Sequence, residues 1–235
     1  MNIRYDQIIK TFFYSAHYVP ITLLIAFVPV VLGLIFGSLI AIGRIYRVKI
    51  VSPILDFIVL FINALPGPII ILVLITVFNQ GFDSFAKMLH LAIRAKNVNV
   101  IYVGILAMTI ISIPALSESI RGALLSIDQG QYEAGYSVGL SKFQVLQRIV
   151  LPQAFLVLIP TLCGDVIGTL KGSSFLFIIG VMDIINSALK FATSSYCILE
   201  AYIAAALLYW LMSIFIENIF RLLEHQMGKH RRVLG

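Results

Sequence analysis

YVPITLLIAFVPVVLGLIFGSLIAIG, residues 18–43, contains no Asp, Glu, Lys or Arg. A helix crosses a bilayer with about 20 mostly apolar residues, and this run exceeds that. Residues 57–82 and 97–117 are two further charge-free runs. Residues 149–164 are also charge-free but short, and reach spanning length only by taking in Asp165 and continuing to about Leu170. Residues 201–216 must extend toward Glu200 or Glu217. The reading is an all-α polytopic membrane protein of five spans, one domain over residues 1–235.

Composition agrees. Of 235 residues, 60% are hydrophobic and only 12% charged, where soluble domains carry about 25% charged residues. Mean hydropathy is +1.00. The net charge of +6 is modest and dispersed, which suits anionic lipid heads better than nucleic acid. Arg4 and Lys10 precede the first apolar run, which is too long for a signal-peptide core and has no small-residue cleavage site after it, so it reads as a retained span. Cys163 and Cys197 sit among apolar residues and read as packed thiols, with no disulfide framework or metal spacing.

Orientation follows from the Lys/Arg bias. One side would hold Arg44, Arg47, Lys49, Arg121, Lys142, Arg148, Arg221, Lys229, Arg231 and Arg232; the other, Arg4, Lys10, Lys87, Arg94, Lys96, Lys171 and Lys190. Ten against seven favours an external N-terminus and a cytoplasmic C-terminus, with Lys87, Arg94 and Lys96 opposing. Pro29, Pro66, Pro68, Pro114 and Pro160 fall in or near spans and should break helices, most of all in the cluster from Asn63 to Pro68. Small residues at four-residue spacing form two ladders: Gly33, Gly37 and Ala41, then Gly164, Gly168 and Gly172. Such ladders bring helices close together, and either could also line a dimer contact.

Between two apolar spans, residues 126–151 are polar or amphipathic. Tyr132, Tyr136, Leu140 and Phe143 recur at helical spacing and give a helix an apolar stripe. Glu133 near a helix start would be favoured by the helix dipole, Gly139 would permit a left-handed turn, and Pro152 sits where a new helix can begin. A generic interfacial helix is the plainer reading.

The run Glu133-Ala134-Gly135-Tyr136-Ser137-Val138-Gly139, nine further residues, then Ile149-Val150-Leu151-Pro152 resembles the cytoplasmic coupling loop of ABC importer permeases: E-A-A, three residues, G, nine residues, I-x-L-P. Glu118-Ser119-Ile120-Arg121-Gly122, residues 126–134, Gly139-Leu140-Ser141 and Leu151-Pro152-Gln153-Ala154 are similar to the polar amino-acid branch of that family. Leu170-Lys171-Gly172-Ser173-Ser174-Phe175 resembles its L-K-D/N-T-S-L segment. The resemblance covers residues 15–228 and departs in places. Asn63-Ala64-Leu65-Pro66 stands for R-G-T-P, Gly172 for Asp/Asn, Ser173-Ser174 for Thr-Ser, and Gly135 for the second alanine of E-A-A.

The resemblance implies a dimeric permease that imports a polar amino acid, or a similar solute such as cystine, by alternating access. It would sit in the bacterial cytoplasmic membrane. It implies a coupling loop at about residues 128–150 with Glu133, Ala134, Gly135, Gly139, Leu140 and Ser141 against an ATPase subunit. Its partners would be two copies of that ATPase, a second permease chain, identical or homologous, and an extracytoplasmic solute-binding protein. ATP and Mg would be bound by the ATPase, leaving this chain with no cofactor, metal or catalytic residue.

Cargo-pathway candidates are Asn63, Pro66, Glu118, Asp165, Lys171, Ser173 and Ser174. Asp56, Asp183 and Glu200 are further ionisable groups near span ends, where snorkelling is the cheaper explanation. An ion-coupled secondary transporter using Asp165 and Lys171 is the alternative, although no internal repeat of the kind such carriers show is visible. Gly135–Gly139 also fits G-x-S-x-G, but the nucleophile elbow needs a strand–turn–helix setting and a histidine base. His17, His90, His225 and His230 lie near span ends or in tails. No H-E-x-x-H and no G-x-x-x-x-G-K-[ST] occurs.

Overall fold

The structure is a computed structural model that describes residues 3–47, 49–193 and 196–231, the last four by backbone alone. Ten α-helices follow in order: α1 Tyr5–Ala16, α2 Val19–Ile45, α3 Val51–Ala64, α4 Gly67–Met88, α5 Val100–Leu125, α6 Gln129–Ser137, α7 Lys142–Val145, α8 Leu151–Gly172, α9 Ile184–Thr193 and α10 Ile198–Arg231. A π-helical turn, Leu146–Val150, joins α7 to α8, and a 3-10 helix, Ser173–Ile179, continues α8. No strand occurs among the described residues. Five helices are long and apolar enough to cross a membrane: Val19–Ile45, Gly67–Met88, Val100–Leu125, Lys142–Ile179 and Ile198–Met227.

The second span differs from its sequence reading. Residues 57–82 are not one helix. The chain is extended at Leu65 and Pro66, so α3 is a separate short apolar helix and the span is α4. Pro66 and Pro68 remove two donors within one turn around a poor helix former, Gly67, and Leu65 is pushed extended by the proline after it. Pro29, Pro114 and Pro160 do not break their helices: each lies inside a continuous one. Single prolines are tolerated where neighbouring helices hold the backbone, and Pro29 and Pro114 are buried. Of the basic tail, Arg232 lies outside the described residues, as do the side chains of Lys229 and Arg231.

The α2–α5 crossing organises the bundle. A Cβ at Gly33 would overlap Leu116 Cδ1, and one at Gly37 would lie 3.0 Å from Ser117 N and 3.2 Å from Ile113 O. Ala41, the third rung, is fully buried. In a bilayer such close backbone approach, rather than burial of apolar area, drives association. The second ladder behaves differently. Among the described residues, the helix's own backbone aside, nothing lies within 4 Å of a Cβ at Gly164 or Gly168.

One core cluster joins α2, α5, α8, α9 and α10 through Val30, Leu116, Leu170, Ile184 and Ala205. Another joins α2, α4, α5 and the 3-10 helix through Ile25, Ile71, Met108 and Leu176. A third, with Ala41, Leu124, Val145, Val150 and Ala154, holds α2, α5 and the α6–α8 segment together at one end of the bundle.

Candidate coupling loop and transport pathway

The polar loop folds as a tight helical hairpin. Asp128 caps α6, its Oδ1 accepting from Gly130 N at 2.7 Å. α6 ends in a Schellman arrangement: Gly139 N donates to Tyr136 O at 3.0 Å and Leu140 N to Gly135 O at 3.1 Å. Gly139 has φ +81, the left-handed conformation expected of it, which glycine adopts without steric cost. Ser141 then starts α7 with a capping box. Its Oγ accepts from Gln144 N at 3.3 Å while Gln144 Oε1 accepts from Ser141 N at 2.8 Å. This S-x-x-Q signal was legible in the sequence and was overlooked. The two limbs meet at Gly135, where a Cβ would lie 2.7 Å from Val145 Cγ2. The Gln153 Nε2 to Gln131 Oε1 bond, 3.0 Å, ties α6 to α8.

Two expectations change here. Glu133 is not near a helix start; it sits in the middle of α6, and Asp128 takes the N-terminus. The apolar residues do not form one stripe, because the chain reverses at Gly139. Tyr132 and Leu140 pack into the core, while Tyr136 and Phe143 are exposed. Pro152 lies in the first turn of α8, where a helix is expected to begin, and the helix changes there from π to α. The hairpin therefore presents Glu133, Ala134, Tyr136, Val138 and Phe143 outward, with Val138 75% and Phe143 68% exposed.

Below the hairpin, Arg44 organises an ion network that the sequence did not reveal. Its Nε donates to Asp56 Oδ1 and its Nη1 to Glu118 Oε1, both at 2.5 Å. Arg121 donates to the other Glu118 oxygen through Nε at 3.0 Å and Nη2 at 2.8 Å. Both oxygens of Glu118 are thus occupied by arginines, so this pathway candidate is tied into α2 and α5.

The other pathway candidates gather along α5. The break at Asn63–Pro66 ends where Gly67 faces Ile111, a Cβ there lying 3.7 Å from Ile111 Cδ1. Gly172 faces Met108, at 3.4 Å from its Cε. The two segments therefore approach α5 within one turn of each other near its middle. Asn63, Pro66 and Lys171 are exposed, whereas Ser173 is fully buried with its hydroxyl donating to Leu170 O at 2.7 Å. Ser174 donates to Lys171 O at 2.6 Å. Asp165 is half-buried beside Ser119, and among the described residues its Oδ2 has no hydrogen-bond partner. Among the described residues no ion pair joins Asp165 to Lys171.

Asp183 serves the turn between the fourth and fifth spans. Fully buried, it caps α9 through Asn186 N at 2.8 Å and accepts from the Tyr209 hydroxyl at 3.1 Å. Burial pushes its carboxyl up to about 6. Among the described residues Cys163 and Cys197 form no disulfide, and Arg4 Nη2 donates to Cys197 Sγ at 2.8 Å.

Residues 30–229 match the family described as "Binding-protein-dependent transport system inner membrane component". The L-cystine transport system permease protein TcyL of Bacillus subtilis is 32% identical over 214 residues, 91% of this chain and 87% of that protein. The probable glutamine ABC transporter permease protein GlnP of the same organism is 32% identical over 208 residues, 87% of this chain and 89% of that one. Among solved structures, an amino acid ABC transporter with histidines superposes with a TM-score of 0.80 at 23% identity, over 96% of this chain and 100% of that chain. At that identity the likeness speaks for the fold.

Proposed function

The chain belongs to the family of binding-protein-dependent transport system inner membrane components, and from that premise we propose that it is the membrane-spanning half of an ATP-driven importer of a polar amino acid or of cystine. It is a transport component and not itself an enzyme. The observation that carries the proposal is the hairpin of α6 and α7: a short helix fixed by two caps and a glycine contact, presenting Glu133, Ala134, Tyr136 and Val138 away from the bundle. A rigid mount transmits a push; a flexible loop absorbs it. A separate ATPase subunit, which binds ATP and Mg, grips this tip, and its closure rocks the helices between two states.

The remaining assignments belong to the same reading. The permease is one domain over residues 1–235, with its N-terminus outside and the hairpin in the cytoplasm. A second permease chain packs against the open Gly164–Gly168 face of α8. A solute-binding protein delivers cargo outside. The cargo passes along α5 between the Asn63–Pro66 break and Lys171–Ser174, toward Asp165. The identities of the relatives, cystine and glutamine permeases at 32% each, support a cargo of amino-acid type.

The test is copurification of the ATPase subunit from detergent, with uptake and ATP hydrolysis measured in the same membranes. Glu133→Lys reverses a charge at the tip, and Gly139→Trp puts an indole on a left-handed residue. Each should leave insertion intact and uncouple hydrolysis from uptake. Normal uptake in both at normal expression refutes the proposal.

A further inference from the structure

A cleft of 610 Å³ at the hairpin end of the bundle has no part in this mechanism. It lies between the end of α2, the first turns of α3 and the end of α5. Arg44, Arg47, Lys49 and Arg121 line it against a single lining carboxylate, Asp56. Glu118, behind Arg44 and Arg121, is the second anion. Four cations face two anions, an excess of two.

The cations differ in state. Arg44 and Arg121 are held by their carboxylates, and each keeps N–H groups unused. The side chains of Arg47 and Lys49 make no ion pair or hydrogen bond among the described residues. Ser52 also lines the cleft. It is only 8% exposed. Ser52 and Pro53 place the first turn of α3 on the cleft wall, and no side chain caps that helix start. Uncapped N–H groups and the positive end of the helix dipole both favour an anion. Arg47 has φ 48, an uncommon conformation for a residue with a side chain.

We propose that this cleft binds a phosphate-bearing anion, and that its source is the head group of an anionic phospholipid. Guanidinium forks and an ammonium suit phosphate oxygens. The rim supports the lipid. Ile50, Ile54, Phe57 and Phe61 leave the cleft along one face of α3, at 75%, 54%, 66% and 54% exposure, a track for an acyl chain beside a head-group pocket. The inference needs only that α2 ends at a membrane surface, and stands whichever side that surface faces.

Native mass spectrometry of the full chain, purified and delipidated in detergent, tests it with phosphatidylglycerol, phosphatidylcholine and inorganic phosphate as separate probes. Phosphatidylglycerol should be retained and phosphatidylcholine lost. Arg47→Gln combined with Lys49→Gln should weaken phosphatidylglycerol retention about thirtyfold, roughly fivefold for each cation. Lys87→Gln combined with Lys96→Gln, at the opposite end of α4 and beyond, should change nothing. Both pairs are exposed, so a melting temperature equal to that of the unaltered chain confirms folding. Inorganic phosphate bound without phosphatidylglycerol, and lost in the Arg47 and Lys49 variant, would overturn the lipid as source and leave a free-anion site. Equal retention of the two lipids, an unaffected Arg47 and Lys49 variant, or binding of no probe overturns the site.

Discussion

Gly135→Ala adds one methyl group between the limbs of the hairpin. The new Cβ would lie 2.7 Å from Val145 Cγ2, 3.3 Å from Val145 Cγ1 and 3.0 Å from Ile149 Cδ1. The end of Ile149 can move aside. Val145 is fully buried and β-branched in a helix, so it is stiff about χ1. In an unobstructed helix the same change stabilises by about 1 kcal/mol. Overpacking here costs about 1–3 kcal/mol, so the net effect is destabilising by up to about 2 kcal/mol. For a chain of this size each kcal/mol moves the melting temperature by roughly 2–4 °C, giving a fall of up to roughly 8 °C. Val145→Ala removes both obstructing carbons. On that background Gly135→Ala should be neutral or stabilising, a coupling of about 1–3 kcal/mol. Thermal unfolding of the four proteins in detergent reads the cycle, and retention of the ATPase subunit should fall in parallel for the single Gly135 variant. A rise in melting temperature for Gly135→Ala, equal in both backgrounds, refutes the reasoning. The E-A-A pattern has alanine at this position, so its holders should carry a smaller contact opposite it.

Asp183 is raised to about 6 from an ordinary 3.8, so the folded chain binds more protons than the unfolded one between those values. Its contribution is complete below the lower value and is lost as pH rises through the upper, by up to about 3 kcal/mol. Melting temperature should fall across that window, and Asp183→Asn should flatten the fall; equal slopes contradict it. Gly168→Cys, in a chain with Cys163→Ala and Cys197→Ala, should form an oxidised cross-link to a matching cysteine on the second permease, and failure in an assembled complex places the dimer contact elsewhere. Lys171→Gln with Ser174→Leu should weaken uptake roughly tenfold or more, the scale of one charged hydrogen bond; Ser173 is left alone because it is buried. Unchanged affinity and rate remove Lys171–Ser174 from the pathway. Asp6→Cys should react with an impermeant thiol reagent in intact cells and Glu224→Cys only after permeabilisation, and the opposite pattern inverts the topology.

Much of the fold was legible because its signals are local. Long apolar runs mark helices whatever surrounds them, and five helices among the described residues are long and apolar enough to cross a membrane. The left-handed Gly139 and the loop around it are likewise local, since a short turn depends on its own residues. The second span was placed only in part. The Asn63–Pro68 cluster announced a break, but hydropathy does not distinguish one long helix from α3 followed by α4. Glu133 falls in mid-helix because Asp128, a residue type preferred at helix starts, takes the N-terminus of α6.

From the sequence alone came the membrane class, the number of spans, the break near Pro66 and the position of the polar hairpin, each encoded in neighbouring residues by composition and backbone preference. Tertiary structure decided what distance in the chain conceals. Arg44 meets Glu118 across 74 positions, and the Gly33–Gly37 ladder packs on α5 while Gly164 and Gly168 stay open. The two ladders have the same spacing. They differ only in what the folded backbone brings against them, because a glycine specifies that a neighbour can come close and not which neighbour does.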